Sequence, residues 1–244
     1  MTTFNFGGFS DIKAPNNTNY LTPWAVYDMV SFDGIGEPVT GNRKDGETWR
    51  AWDFKFSCPK GTYSERIFEP DENGVKRRTV TNANGHESEL PSDFERSLQV
   101  VAQIVAAYNP KGFEKLKTVA PKLKTFEQFI GTVKKLLENP LKPSEEHNIQ
   151  MKLDGRKDST GRQFARLPNC GISKTDGKPF MEKFIGENVL LTAWELRQKE
   201  AYEKTTPSDP EKTNPIEASV DGTDNIPSGE GTEEITDIDG LLDE

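Results

Sequence analysis

The sequence predicts a mainly β fold with a helical insertion, an α+β body over residues 23–204 followed by a disordered acidic tail over 205–244. Three observations predict it. Several stretches between 24 and 68, and again between 147 and 170, alternate apolar and polar residues, as half-buried strands do. The block 91–139 changes to helical spacing. The last forty residues hold twelve Asp and Glu against one Lys, which puts them at −11 in a chain of net charge −9 and leaves the body at +2. So detached an acidic segment suggests a body that meets polyanions and a tail that meets something else.

Residues 1–22, rich in Gly, Asn and Thr, read as an irregular arm. The run 24–35 is the first strand, ended by Gly34 and Gly36. A turn-rich loop leads to TWRAWDFKFSC, where Arg50, Trp52, Phe54 and Phe56 share one face and Trp49, Ala51, Asp53 and Lys55 the other. Pro59-Lys60-Gly61 makes a turn and TYSERIFEP returns as a hairpin partner. Residues 70–90 are polar and turn-rich. Ser92 and Glu95 form a capping box before a helix with Phe94, Leu98, Val101, Val105 and Tyr108 on one stripe. A second helix starts at Thr125 with Gln128 and carries Phe126, Ile130, Val133 and Leu137; Asn139-Pro140 stops it. Strands resume at HNIQMKLDG and, after a loop, at RQFARLPNC; FMEKFIG and NVLL are candidate short strands. Thr192 and Glu195 cap a last helix. Five strands with one helical crossing fit an OB-like barrel with a partly open groove; a β-sandwich is the structural alternative.

Catalytic motifs are absent from this reading. His86 and His147 stand apart from any ligand spacing, and the chain has no GxSxG, P-loop or dinucleotide fingerprint. No enzyme activity, metal or cofactor is expected. Cys58 and Cys170 fit a reducing compartment. The start of the chain lacks the pattern of a signal peptide, and no apolar run is long enough to cross a bilayer, so a cytoplasmic protein without a membrane partner is expected.

Single-strand binders need cations for phosphates and exposed rings for bases. Two hairpins interleave both. In the first, Arg43 and Lys44 precede Trp49, Arg50, Trp52 and Lys55, with Tyr63 and Arg66 on the partner strand. In the second, Lys152, Arg156 and Lys157 lead to Arg162, Phe164 and Arg166. Two arginines flanking a phenylalanine are costly to bury, which argues that this face is exposed. Trp52, Phe54 and Phe56 at period two are more often core than a stacking platform, in which case Trp49 points outward. The loop run Lys76-Arg77-Arg78 is a weaker phosphate candidate. The tail ends in acidic residues mixed with apolar ones: Asp237, Ile238, Asp239, Leu241, Leu242, Asp243 and Glu244 read as a docking peptide, or as a screen over the basic groove.

This organisation, a barrel body with basic-aromatic hairpins, a helical insertion and an acidic tail, resembles the bacteriophage single-stranded DNA-binding proteins of the T7 type. The family's tails end in an aromatic or apolar residue, whereas this chain ends Leu242-Asp243-Glu244. The resemblance implies an OB-fold that coats single-stranded DNA in replication, recombination and repair. It also implies a tail that recruits the polymerase and helicase-primase. The helical insertion is available as a homodimer face or a further docking site. A virion structural protein that does not bind nucleic acid is the alternative reading. A further alternative is an accessory or inhibitor protein whose acidic segment mimics DNA.

Overall fold

A computed structural model of the chain describes residues 19–43, 46–71, 74–81, 84–157, 161, 163–181 and 191–205. In chain order the strands are β1 (Ala25–Tyr27), β2 (Ser31–Ile35), β3 (Val39–Asn42), β4 (Thr48–Cys58), β5 (Gly61–Phe68), β6 (Arg78–Thr81) and β7 (Glu87–Leu90). Three helices follow, α1 (Asp93–Tyr108), α2 (Pro110–Val119) and α3 (Phe126–Leu136), with a 3-10 turn at Ala120–Lys122 between the last two. Then come β8 (Gln150–Lys157), β9 (Gln163–Arg166), β10 (Ile172–Ser173) and α4 (Ala193–Thr205). The fold is α+β.

The strand run over 24–35 is two strands. Met29 takes a left-handed conformation, φ 56°, and residues 28–30 interrupt the pairing. β1 pairs antiparallel with β8, Val26 opposite Lys152, whereas β2 pairs antiparallel with β4, Phe32 opposite Phe56. The same stretch of chain thus serves two sheets. In the first, β4 is central: β5 lies along one edge and β2 and β3 divide the other. In the second, β8 is central, with β1, β9 and β10 as its partners. β6 and β7 form a separate two-stranded ribbon.

A closed five-stranded barrel is not what forms. The strands divide into two four-stranded sheets and the ribbon, because the edges of β4 and β8 are shared among short partners. Among the links between the sheets are the segment before β1 and the Glu65 side chain. Leu21 N–H donates to the Thr62 carbonyl at 2.9 Å and Trp24 N–H to the Leu153 carbonyl at 2.8 Å, so 19–24 lies against β5 and β8 rather than as a loose arm. The Glu65 carboxylate of β5 accepts the Leu167 N–H, just beyond β9, at 2.8 Å.

The helices close the core. Phe32, Trp52, Phe54 and Phe56 from the first sheet and Met151 and Leu153 from the second pack with Val101, Ile104, Val105 and Tyr108 of α1 and with Phe126, Ile130 and Val133 of α3. Burying side chains of this size stabilises by roughly 1.5–3 kcal/mol each. Tyr108 donates its hydroxyl to the Val30 carbonyl at 2.9 Å, tying α1 to the break in the first strand.

Both capping boxes of the insertion form. Ser92 accepts from Glu95 N–H and Glu95 from Ser92 N–H; Thr125 and Gln128 do the same for α3. α2 is an addition to the sequence reading. Asn109 donates its N–H to Val105, ending α1, while its side chain accepts from Gly112 N–H at 2.8 Å and opens the next helix. Pro110 takes the first helical position, where a missing N–H costs nothing. The segments FMEKFIG and NVLL fall largely outside the described residues, as does the tail from 206 onward. Among the described residues no helix is long and apolar enough to cross a membrane.

Candidate nucleic-acid interface

The first hairpin, β4–β5, divides by strand alternation into two faces. Trp52, Phe54 and Phe56 face inward, 4 %, 0 % and 1 % exposed. Trp52 meets Phe126 at 5.6 Å, and Tyr63, 7 % exposed, stacks on Phe56 at 6.1 Å. Trp52 and Tyr63 therefore leave the set of candidate stacking rings: they belong to the core and have no face to offer a base.

The opposite face carries Trp49, Asp53 and Lys55, with Arg66 and Phe68 beside them on β5. Trp49 is half-buried and its neighbours fix its ring. The indole lies on Gly41 of β3, where an added Cβ would come within 2.5 Å of the ring, and it meets Phe68 edge-on at 5.4 Å. The Arg66 guanidinium sits 5.8 Å from the Trp49 ring centre and is held by a two-pronged bond to Asp53 at 2.7 and 3.0 Å. The ring and the cation beside it are thus both restrained by their neighbours. Lys55, opposite Ser64, is exposed.

Arg50 is more constrained than the sequence suggests. Its guanidinium makes a two-pronged bond with Glu127 of α3 at 3.0 and 2.7 Å and lies 4.9 Å from the Trp52 ring. The same bond holds the Glu127 carboxyl below its ordinary range. A phosphate reaching Arg50 must displace that carboxylate.

In the second hairpin, register sets the constellation. Phe164 stands directly opposite Arg156, and Arg166 opposite Asp154. Arg156 and Lys157 are exposed, while Phe164 and Arg166 are half-buried. Lys152, two residues before Asp154, is half-buried and pairs with Glu195 of α4 at 2.9 Å. Arg162 and Lys44 lie outside the described residues, as do Asp237, Ile238, Asp239, Leu241, Leu242, Asp243 and Glu244 of the tail. In the loop run, Arg77 is engaged by Glu95 and Glu89.

The two hairpins meet at Glu65. Its side chain projects from the inward face of β5, accepts from Leu167 N–H and bonds the Tyr63 hydroxyl. Burial pushes its carboxyl above the ordinary range, with the Tyr63 and Leu167 bonds and nearby Arg166 and Arg156 opposing the shift. Sequence reasoning missed Glu65, because an acidic residue on an inward face has no signal of its own. It missed Phe68 too, although Phe68 stands two residues from Arg66 on the same strand and alternation would have placed it beside Trp49.

Among the described residues no three His, Cys, Asp or Glu side chains are grouped so as to hold a metal ion. No protein-family model, curated protein or solved structure matches the chain.

Proposed function

We propose that this chain is a non-catalytic single-stranded DNA-binding protein whose two hairpins line one oligonucleotide path. The observation that carries the reading is the Trp49 platform: a half-buried indole seated on Gly41, braced by Phe68 and accompanied by Arg66, on the face of β4–β5 turned away from the core. Strand connectivity supports it. A bent first strand feeding two sheets, a hairpin, a helical insertion and a second hairpin succeed one another as in a partly open OB-like body, whose second and third strands and flanking loops take up oligonucleotides. Trp49 and Phe164 supply rings; Lys55, Arg156, Lys157 and Arg166 supply charge, with Arg50, Arg66 and Lys152 as cations already committed to carboxylates. Arg162 belongs to the proposal from sequence alone. The protein acts in the cytoplasm on DNA undergoing replication, and its acidic tail docks replication proteins.

The test is a titration with oligo-dT, followed by tryptophan fluorescence at several salt concentrations. Binding with quenching, and a log-log salt slope of about −0.7 for each phosphate neutralised, is expected. A flat titration would remove the reading. Deleting residues 206–244 should tighten binding at low salt, since −11 of competing charge goes with them.

A further inference from the structure

Trp24 is 5 % exposed yet stands apart from the contiguous core. Its backbone is left-handed, φ 59°, a conformation that a bulky residue adopts only when its surroundings impose it. The indole lies against Gly155 of β8, where an added Cβ would come within 2.4 Å of Nε1. That Nε1–H is buried without a hydrogen-bond partner. Gly155 directly precedes Arg156, so this ring lies next to the second hairpin's exposed cations.

α4 covers the place. Trp194 meets Trp24 edge-on at 5.3 Å, and the adjacent Glu195 bonds Lys152 at 2.9 Å. The helix has little else with which to hold on: Glu195 is its buried residue, and Trp194 and Leu196 are 54 % and 47 % exposed. Beneath it Asp154 Oδ1 is buried without a hydrogen-bond partner, and burial raises the Asp154 carboxyl while Lys152 and Glu195 act on it with opposite signs. A cover with a small apolar footprint, laid over unsatisfied polar atoms, is held chiefly by the one Lys152–Glu195 pair.

We propose that Trp24 and Lys152 form a further nucleotide subsite for single-stranded DNA, occupied in the resting chain by Trp194 and Glu195. The two consecutive residues present a ring and an anion, as a base and its phosphate do. Strand binding displaces α4: a base replaces Trp194 on Trp24 and a phosphate replaces Glu195 on Lys152. The inference rests on the single-strand reading above and adds an exchange site to it.

Glu195→Gln tests it, because glutamine keeps the capping bonds with Thr192 but loses the charge on Lys152. The variant should bind oligo-dT on the order of three- to tenfold more tightly, since charged hydrogen bonds are about twice as strong as neutral ones. Its salt slope should steepen by about 0.7, for one more phosphate. Adding Lys152→Gln should erase the gain. Trp194→Ala, which uncovers the ring and leaves the ion pair, should also tighten binding. In the wild-type chain, oligo-dT should speed tryptic cleavage at Arg197 and Lys199. Wild-type binding with unchanged affinity and slope in both variants, and no change in cleavage, would overturn the subsite while leaving the single-strand reading intact. No binding by any form overturns both. Binding by the variants alone supports the cover.

Discussion

Replacing Gln103 by leucine gives the sharpest check on how the helical insertion holds the second hairpin. Gln103 of α1 is 2 % exposed. Its Nε2 donates to the Pro168 carbonyl at 2.9 Å, and its Oε1 accepts the Ile172 N–H at 3.2 Å. One amide thus clamps both ends of the loop that follows Arg166 and contains Leu167, the partner of Glu65. The two bonds are not equivalent. The Pro168 carbonyl keeps a second donor, Gly171 N–H at 3.0 Å, so there the loss is one ordinary hydrogen bond of about 0.5–1.5 kcal/mol. Ile172 is fully buried, and stranding its N–H costs about 1–3 kcal/mol. The extra apolar surface of leucine offsets about 1 kcal/mol. The net loss is about 2 kcal/mol, which for a chain of this size lowers the melting temperature by roughly 4–8 °C. Urea unfolding followed by circular dichroism should give a lower midpoint with an unchanged slope. A loss below about 0.5 kcal/mol would mean that the amide does not hold the loop, and the reasoning fails.

Three further outcomes follow from the same structure. Trp49→Ala should weaken oligo-dT binding by about 1–3 kcal/mol and remove most of the fluorescence quenching; quenching that persists at full amplitude would assign the stacking ring elsewhere. Gly155→Ala, whose Cβ would come within 2.4 Å of the Trp24 indole, should destabilise by about 1–3 kcal/mol in thermal melts. For Glu65, burial raises the folded carboxyl above its unfolded value, so the folded chain holds that proton more tightly. Stability from this group is present below the ordinary carboxylate range and falls as pH rises through the raised value. Glu65→Gln should therefore gain on the wild type between acidic and neutral pH, and parallel stability curves for the two would contradict it.

Much of the architecture was legible from periodicity. The alternation in 48–58 marked β4 over its whole length, and three capping boxes marked the starts of α1, α3 and α4. What escaped did so for physical reasons. α2 has no start that the sequence alone settles, because a proline that opens a helix and one that ends it look alike until Asn109 is seen ending α1 and capping α2. The ribbon β6–β7 has exposed residues on both faces, Val80 among them, and so lacks an alternating signal. At the interface, alternation sorted the residues of β4 into two faces but did not say which one turned inward. Arg50 shares the Trp52 face, and its charge is accommodated there by Glu127, a residue far away in the chain. Trp24 carried no motif and Glu195 read only as a helix cap, because their further significance arises only where α4 crosses β8.

The left-handed turn at Met29 solves a counting problem. Along an unbroken strand, positions separated by an odd number of steps project to opposite sides. Tyr27 and Phe32 are five apart, yet both are buried in the same interior. The turn absorbs the odd step, so each sheet begins with its own parity. Removing a single residue between them should invert one sheet relative to the other, whereas glycine in place of Met29 should be tolerated.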